Sequence, residues 1–485
     1  MFDRTTEKPQ WNQYKISRNR VRVIYEAGTR HWIAILGKQV SAFLLTARVK
    51  GVHGVTISPK VVERLHNSGF QAVLTVTGGG TGLFSELLSV PGGSRFLLDG
   101  RIPYSTAAMD ELLGSASNSS GYCSENAVRR MAFEAFVRAF ELLENNSLLR
   151  PLGFGLTASL ASNRPKKGEH RIFAALMTAR LEASVSLILR KGARSRAQEE
   201  RLASVFGVLT LDFWTNRFPV EPNESPESPE SIESNEQAES FAPLHRYEAS
   251  AFCDFLRDRL AQAGCALFPD EIVSARFVPV GEELVRLALG GEAVFRWEKG
   301  SLRRQDRPLE SERVIFPGSF NPIHHGHVQM ARLAAKRFGQ PVALEISVRN
   351  VDKPPLDFLE IAERLARIGR ELPGCAVYLT GFPYFRQKGA FFGPATFLVG
   401  ADTLRRIADP AYCRDNADFS AVLDSFAEHA CRFLVFAREV QNETLSLPNL
   451  PTPPILRSLC EEIPASEFID SISSTFLREI GKKSF

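Results

Sequence analysis

Apolar positions along the chain recur at two spacings. Continuous apolar runs predict strands at residues 72–77, 153–159, 172–178 and 183–189. Helical spacing predicts a helix through Leu65 behind Ser58-Pro59, one at 83–88 and a closing helix from 195 to 206 or beyond. A long helix carrying Val128, Met131, Ala132, Ala135 and Phe136 follows Ser124-Glu125. A second alternation opens at 314–316. Its helix carries Val328, Ala331, Ala335 and Phe338, with Gly339 as its stop. Val342, Leu344, Ile346 and Val348 alternate as a strand, and Ile361, Leu365, Ile368 and Leu372 line one side of a helix. Further strands are predicted at 376–380, 396–399, 432–436 and near 468–472. The fold class is therefore α/β throughout. The C-terminal region is expected as a doubly wound parallel sheet with right-handed crossovers and its site at the carboxyl ends of the strands.

Between these regions the pattern breaks. From 219 to 243, glutamates fall at 221, 224, 227, 230, 233, 236 and 239 among Pro, Ser and Asn, with no Lys or Arg. That spacing does not suit an amphipathic helix, and the few apolar groups cannot offset the entropy of ordering, so an extended, solvated tether is expected. A phosphorylated or partner-binding acidic motif is the alternative. Residues 244–312 regain pattern, with a helix carrying Phe252, Phe255, Leu256, Leu260 and Ala263, another at 282–289, and a small hairpin around Gly300. The divisions are a basic extension at 1–51, α/β domains at 52–216 and 313–485, a linker at 217–243 and a bridge at 244–312.

Composition narrows the function classes. The 485 residues are 44% hydrophobic and 24% charged, as in globular proteins. A net charge of +4 is small for this length and implies no nucleic-acid partner. Seven cysteines stand singly, which suits a reducing, cytoplasmic setting over a disulfide or zinc framework. No apolar run is long enough to span a bilayer, so no membrane association is expected. In the first 50 residues, Arg18, Arg20, Arg22, Arg30, Lys38, Arg48 and Lys50 outnumber Asp3, Glu7 and Glu26. Sparse serine and an apolar stretch at 32–45 favour a structured extension, with organellar targeting as the alternative.

Candidate chemistry concentrates where the strand at 314–316 runs through Pro317-Gly318-Ser319-Phe320-Asn321-Pro322 into His324-His325-Gly326-His327. Backbone amides at Gly318, Ser319 and Phe320, next to a helix N-terminus, make an anion site. His324 and His327, three apart, can face one ligand, and the arrangement suits a triphosphate. Two helix-start histidines satisfied by neighbouring carbonyls would be the plain structural reading. The stretch resembles the nucleotidyltransferase superfamily, whose signature is Gly-Ser/Thr-Phe-Asp/Asn-Pro followed by His/Thr-x-Gly-His.

Later residues extend the likeness. The segment Ile472-Ser473-Ser474-Thr475-Phe476-Leu477-Arg478 resembles the Ile-Ser-x-Thr-x-x-Arg motif of nicotinamide/nicotinate mononucleotide adenylyltransferases. Gly400-Ala401-Asp402 resembles their Gly-Ala-Asp segment, where the aspartate contacts ribose, although Asp402 could serve simply as a helix N-cap. Lys353-Pro354-Pro355 resembles the stretch bearing a phosphate-binding lysine. The resemblance implies a Rossmann-like domain that transfers AMP from ATP to a small phosphorylated acceptor, nicotinamide or nicotinate mononucleotide, with release of pyrophosphate. It assigns His324 and His327 to the α-phosphate, Ser473, Ser474, Thr475 and Arg478 to the outer phosphates, and Mg²⁺ to phosphate oxygens without a protein metal cage. Cytidylyl transfer, adenylyl transfer to another acceptor such as phosphopantetheine, and a non-catalytic nucleotide sensor stay open, as does a homo-oligomer.

The N-terminal region carries its own glycine turn, Gly78-Gly79-Gly80-Thr81-Gly82, between a strand and a helix. Alone it fits an anion site or a tight turn equally. The order of elements resembles the CinA C-terminal domain family, the nicotinamide-nucleotide amidases. In that family a serine is paired with a lysine; Thr75 and Met109 stand at those positions here, with Tyr104 at the matching tyrosine. Thr157-Ala158-Ser159-Leu160 replaces the family's later glycine-rich stretch. Methionine cannot take a proton from a nucleophile. A degenerate amidase fold that binds, docks or stabilises without hydrolysing is therefore expected.

Overall fold

The computed structural model describes residues 11–15, 21–26, 32–36, 57–114, 121–144, 147–164, 166–218, 220, 239–240, 246–349, 356–412, 418–440 and 443–468. Residues 1–56 form one compact unit, in which Trp11–Lys15, Val21–Glu26 and Trp32–Leu36 make a three-stranded antiparallel sheet. Residues 57–485 form the other.

The larger unit holds two sheets. The first has six strands in the spatial order Ile272–Pro279, Leu181–Leu189, His170–Met177, Pro151–Ser159, Gln71–Thr77, Leu97–Arg101. Gln71–Thr77 runs parallel to both its neighbours, and the remaining pairings are antiparallel. The strand Pro151–Ser159 is buried along nearly its whole length, as a central strand covered on both faces must be. Its Leu152, Phe154 and Leu156 share a core with Leu202, Val205 and Phe206 of the helix Arg196–Arg217. Its other face carries Gly153, where an added Cβ would come within 2.0 Å of Ala132 O. Only glycine lets the helix Glu125–Leu142 lie that close to the strand.

Local signals at the helix starts mostly hold. Ser124 Oγ accepts from Ala127 N, and Ser195 with Gln198 closes a capping box. Ser58 precedes the helix Pro59–His66 but makes no side-chain cap bond, so proline at the first turn does the work expected of the pair.

The second sheet has nine strands. In chain order its parallel strands are Val314–Pro317, Val342–Ser347, Val377–Thr380, Thr396–Gly400, Arg432–Phe436 and Cys460–Ile463. Their spatial order is third, second, first, fourth, fifth, sixth, the doubly wound arrangement, which reverses between Val314–Pro317 and Thr396–Gly400. The strand expected near 468–472 falls, beyond Phe468, outside the described residues, and the sixth described strand lies at 460–463. Only Ile463 of those four residues is buried, and an edge strand of this kind leaves no apolar run to read.

Residues 244–312 supply strands to both sheets. Ile272–Pro279 closes one edge of the first, while the hairpin Val294–Glu298 and Ser301–Gln305 extends the second from Val377–Thr380. Glu239–Ser240, within the acidic stretch, pairs with Ser301 and Leu302 at the outer edge. One hydrophobic core runs through both halves, joining Val128, Phe136 and Phe173 to Phe295, Phe358 and Ile361. Among the described residues no helix is long and apolar enough to cross a membrane.

Candidate active site

The strand Val314–Pro317 ends beside the point where the strand order reverses, so whatever follows it sits in the crevice at the carboxyl edge. The ladder runs one residue beyond the strand: Gly318 N donates to Glu345 O at 2.9 Å. The amide of Gly318 is therefore not available to an anion, contrary to the sequence expectation. The amides of Ser319 and Phe320 donate to no group among the described residues. Phe320 is fully buried at a φ of 44°, and its ring lies over Gly318, where an added Cβ would meet Phe320 Cζ at 2.7 Å. Two groups from the helix Phe358–Glu371 brace the turn. Arg364 donates to Ser319 O at 2.7 Å, and Asn321 donates to Glu360 Oε1 at 2.6 Å.

The helix His325–Phe338 then presents both histidines at its start. His327 Nδ1 accepts from His324 N at 3.2 Å, and the two rings lie 3.7 Å apart between centroids. The edge of Phe320 meets His327 at 5.1 Å. Burial pushes the His327 pKa down to about 3, and the charges of His324 and Arg438 act in the same direction. A neutral imidazole that accepts at Nδ1 carries its proton on Nε2, which makes the far side of the ring a donor.

The fourth and fifth strands bring the rest. Gly400 is the N-cap of the short helix Ala401–Ile407, and Asp402 lies inside its first turn, so Asp402 is not the cap. Both Asp402 carboxylate oxygens lie 3.3 Å from Arg438, two residues beyond the strand Arg432–Phe436. Arg438 links the two halves of the crevice because its charge also reaches His327. The structure thus gathers Ser319, Phe320, His324, His327, Gly400 and Asp402 along two adjacent strand ends, with Arg438 at a third. Arg438 is the member that sequence reading missed; its one signal is its place just past an apolar strand. Lys353, Ser473, Ser474, Thr475 and Arg478 lie outside the described residues.

Behind the turn, Glu345 is fully buried between Lys388 Nζ and Thr380 Oγ1, each at 2.5 Å. Both charges being satisfied, this pair fixes the strand whose carbonyl holds Gly318.

The N-terminal candidates are arranged differently. Thr75 is 0% exposed, and its Oγ1 has no hydrogen-bond partner among the described residues. Met109 packs with Leu113 and Met131, whereas Tyr104 is 68% exposed. Among the described residues no side-chain hydrogen bond joins the three. The glycine turn is occupied from within: Glu200 Oε1 accepts from Gly80 N at 2.9 Å, Thr81 N at 2.8 Å and Thr81 Oγ1 at 3.1 Å. The turn does hold an anion, and the anion belongs to the chain.

Residues 315–480 match the cytidylyltransferase-like family model. Phosphopantetheine adenylyltransferase of Nitrosomonas eutropha is 30% identical over 102 residues, 21% of this chain. The chain spans 58% of that relative's length. Among solved structures, a competence-damaged protein (CinA) superfamily protein of Escherichia coli covers 33% of this chain and 88% of its own length, at 15% identity and a TM-score of 0.26. The competence/damage inducible protein of Agrobacterium tumefaciens covers 33% and 92% at 16% identity and a TM-score of 0.24. The doubly wound sheet and the histidine-bearing turn at the strand reversal thus fall in the segment 315–480 that matches the cytidylyltransferase-like family model.

Proposed function

We propose that the C-terminal domain transfers an adenylyl group from ATP to the phosphate of a small acceptor, releasing pyrophosphate. The observation that carries this reading is His327, a neutral ring accepting at Nδ1 and so left with a donor at Nε2, near the exposed turn residue Ser319, whose amide donates to no group among the described residues. A phosphomonoester is largely ionised at neutral pH, with its second pKa near ~6. It needs no covalent enzyme nucleophile to attack the α-phosphate. The protein's part is alignment and the stabilisation of charge that builds on the α-phosphate oxygens.

In this reading His324 and His327 donate to those oxygens, and the Ser319 amide holds a neighbouring phosphate. Asp402 is assigned to the ribose hydroxyls, with Arg438 fixing its carboxylate. Lys353, Ser473, Ser474, Thr475 and Arg478 are proposed for the outer phosphates on their sequence motifs alone. The crevice offers imidazoles, amides and one carboxylate already paired with Arg438. That donor set suits Mg²⁺ carried by the nucleotide's own phosphates, because Mg²⁺ prefers oxygen ligands and keeps much of its water. When bound there, Mg²⁺ neutralises phosphate charge.

For the acceptor, the Ile472–Arg478 motif favours nicotinamide or nicotinate mononucleotide, which would put the domain in NAD biosynthesis. The likeness to a phosphopantetheine adenylyltransferase favours a phosphopantetheine-like acceptor as the second reading. Pyrophosphate release from the full chain, with ATP or CTP against both acceptor types and phosphocholine, separates them. Turnover with ATP and one mononucleotide is the expected result. Turnover with CTP alone, or none with any pair, overturns the proposal.

A further inference from the structure

The helix Phe358–Glu371 touches two parts of the molecule at once. At its start, Glu182 of the strand Leu181–Leu189 reaches across from the N-terminal sheet; its Oε2 accepts from Phe358 N at 2.6 Å and from Leu359 N at 3.0 Å. Glu182 is 2% exposed, so these amides are closed off from water and have that carboxylate as their partner. Asp357 caps the same end by accepting from Glu360 N at 2.7 Å, and Arg129 of the N-terminal helix Glu125–Leu142 lies 3.2 Å from Asp357 Oδ2. Arg276, on the edge strand of the N-terminal sheet, pairs with both Glu125 and Glu363. Over its first two turns the same helix holds the nucleotide turn, through Glu360 to Asn321 and Arg364 to Ser319 O.

We propose that Glu182 is a positioning residue for the nucleotide site, through which the N-terminal α/β part sets the placement of the Ser319–Asn321 turn. The physical reason is the rigidity of a helical turn. Glu182 fixes the first two amides of the helix, Glu360 stands in that same first turn and Arg364 on the next, so displacing the helix end displaces the groups that brace the turn. A reacting phosphate misplaced by about 1 Å can lose on the order of 10² in rate. The arrangement also gives the N-terminal domain a role that needs no chemistry of its own, consistent with the burial of Thr75 and the internal occupation of its glycine turn. Burial raises the Glu182 carboxyl above the ordinary carboxylate range; Asp357 adds to this, while Arg129 and the two helix amides oppose it.

This inference rests on the proposed activity only for its kinetic arm, so the test has two. In the full-length chain, hydrogen exchange of peptides covering 314–330 is compared with peptides covering 71–90 in wild type, Glu182→Ala and Glu182→Gln. Glu182→Ala should speed exchange at 314–330 by about tenfold or more while leaving 71–90 unchanged, and Glu182→Gln, which keeps an acceptor oxygen, should recover most of the protection. In the kinetic arm, Glu182→Ala should lower kcat for pyrophosphate release by roughly tenfold with a smaller change in the donor KM, again recovered in part by glutamine. Combined with Arg364→Lys, its loss should fall short of the product of the two single losses, because both act on one helix.

Exchange at 314–330 unchanged in folded Glu182→Ala overturns the inference, as does equal acceleration in both sets of peptides. If Glu182→Ala does not fold, Glu182→Asp, one methylene shorter, takes its place under the same criteria. A wild type without turnover removes the proposed function, and the exchange comparison then decides the inference alone.

Discussion

Two glycine turns in this chain begin from the same plan and end in different states. Each follows a strand paired on both sides, and each leads into a helix: Gly78–Gly82 after Gln71–Thr77, Gly318–His327 after Val314–Pro317. In the first, a carboxylate from 119 positions away takes the amides of Gly80 and Thr81. In the second, the supports come from behind, at Glu345 O, Glu360 and Arg364, and the forward amides of Ser319 and Phe320 face no partner among the described residues. A helix start with oriented amides is an anion site in either case. What separates a structural joint from a candidate active site is whether the fold supplies the anion itself.

The contrast can be tested from its strongest consequence downwards. Substituting His327→Ala removes the donor proposed for the reacting phosphate, and pyrophosphate release should fall by about 10²–10³. A loss of only a fewfold would remove His327 from the role assigned to it. Arg438→Met frees Asp402 and should raise the donor KM by roughly tenfold, with a smaller effect on kcat, measured under saturating acceptor. A change confined to kcat would place Arg438 on the reacting phosphate instead.

In the N-terminal turn, Glu200→Ala leaves two amides and a hydroxyl without their acceptor, and urea unfolding should show a loss of about 1–3 kcal/mol. Added phosphate or sulfate should restore part of that stability in the variant more than in wild type, turning a joint into an anion site. Salt protecting both proteins equally would mean that the turn needs Glu200 for more than its charge.

A pH series sharpens the other turn. The folded His327 pKa is lowered to about 3, whereas an unfolded histidine titrates at about 6.5. The unfolded state therefore takes up the proton first, and the stability contributed by keeping this ring neutral is present above about pH 6.5 and lost as pH falls toward 3. The unfolding midpoint of wild type, relative to His327→Gln, should drop between pH 7 and pH 4.5. A constant difference would mean that the ring is not held neutral. The smallest effect belongs to Thr75→Val, which replaces a buried hydroxyl with a methyl group of similar volume. It should leave stability unchanged or raise it by up to about 1 kcal/mol, since the hydroxyl lacks a partner among the described residues.

Periodicity carried much of the fold. Strands such as Gln71–Thr77, Pro151–Ser159 and Arg432–Phe436 are nearly solid apolar runs, and the helix Phe358–Glu371 shows its buried stripe in the spacing of Ile361, Leu365 and Ile368. Strands that are half exposed, Leu97–Arg101 and Cys460–Ile463, left too little contrast to see. The His324 to His327 spacing was legible because both residues sit on one helix turn. Arg438 was not, since an arginine after a strand has no periodic signature and gains its meaning only from Asp402 and His327 across the crevice.

The sequence by itself therefore determined the order of strands and helices and the identity of the histidine-bearing turn, because these follow from local propensity and short spacing. Tertiary structure alone decided which amides remain open. Gly318 is closed by Glu345 and the Gly80–Thr81 pair by Glu200, while the start of the helix Phe358–Glu371 is closed by Glu182. Each of these partners arrives from a distant part of the chain, and long-range hydrogen bonds leave no trace in the spacing of residues along it.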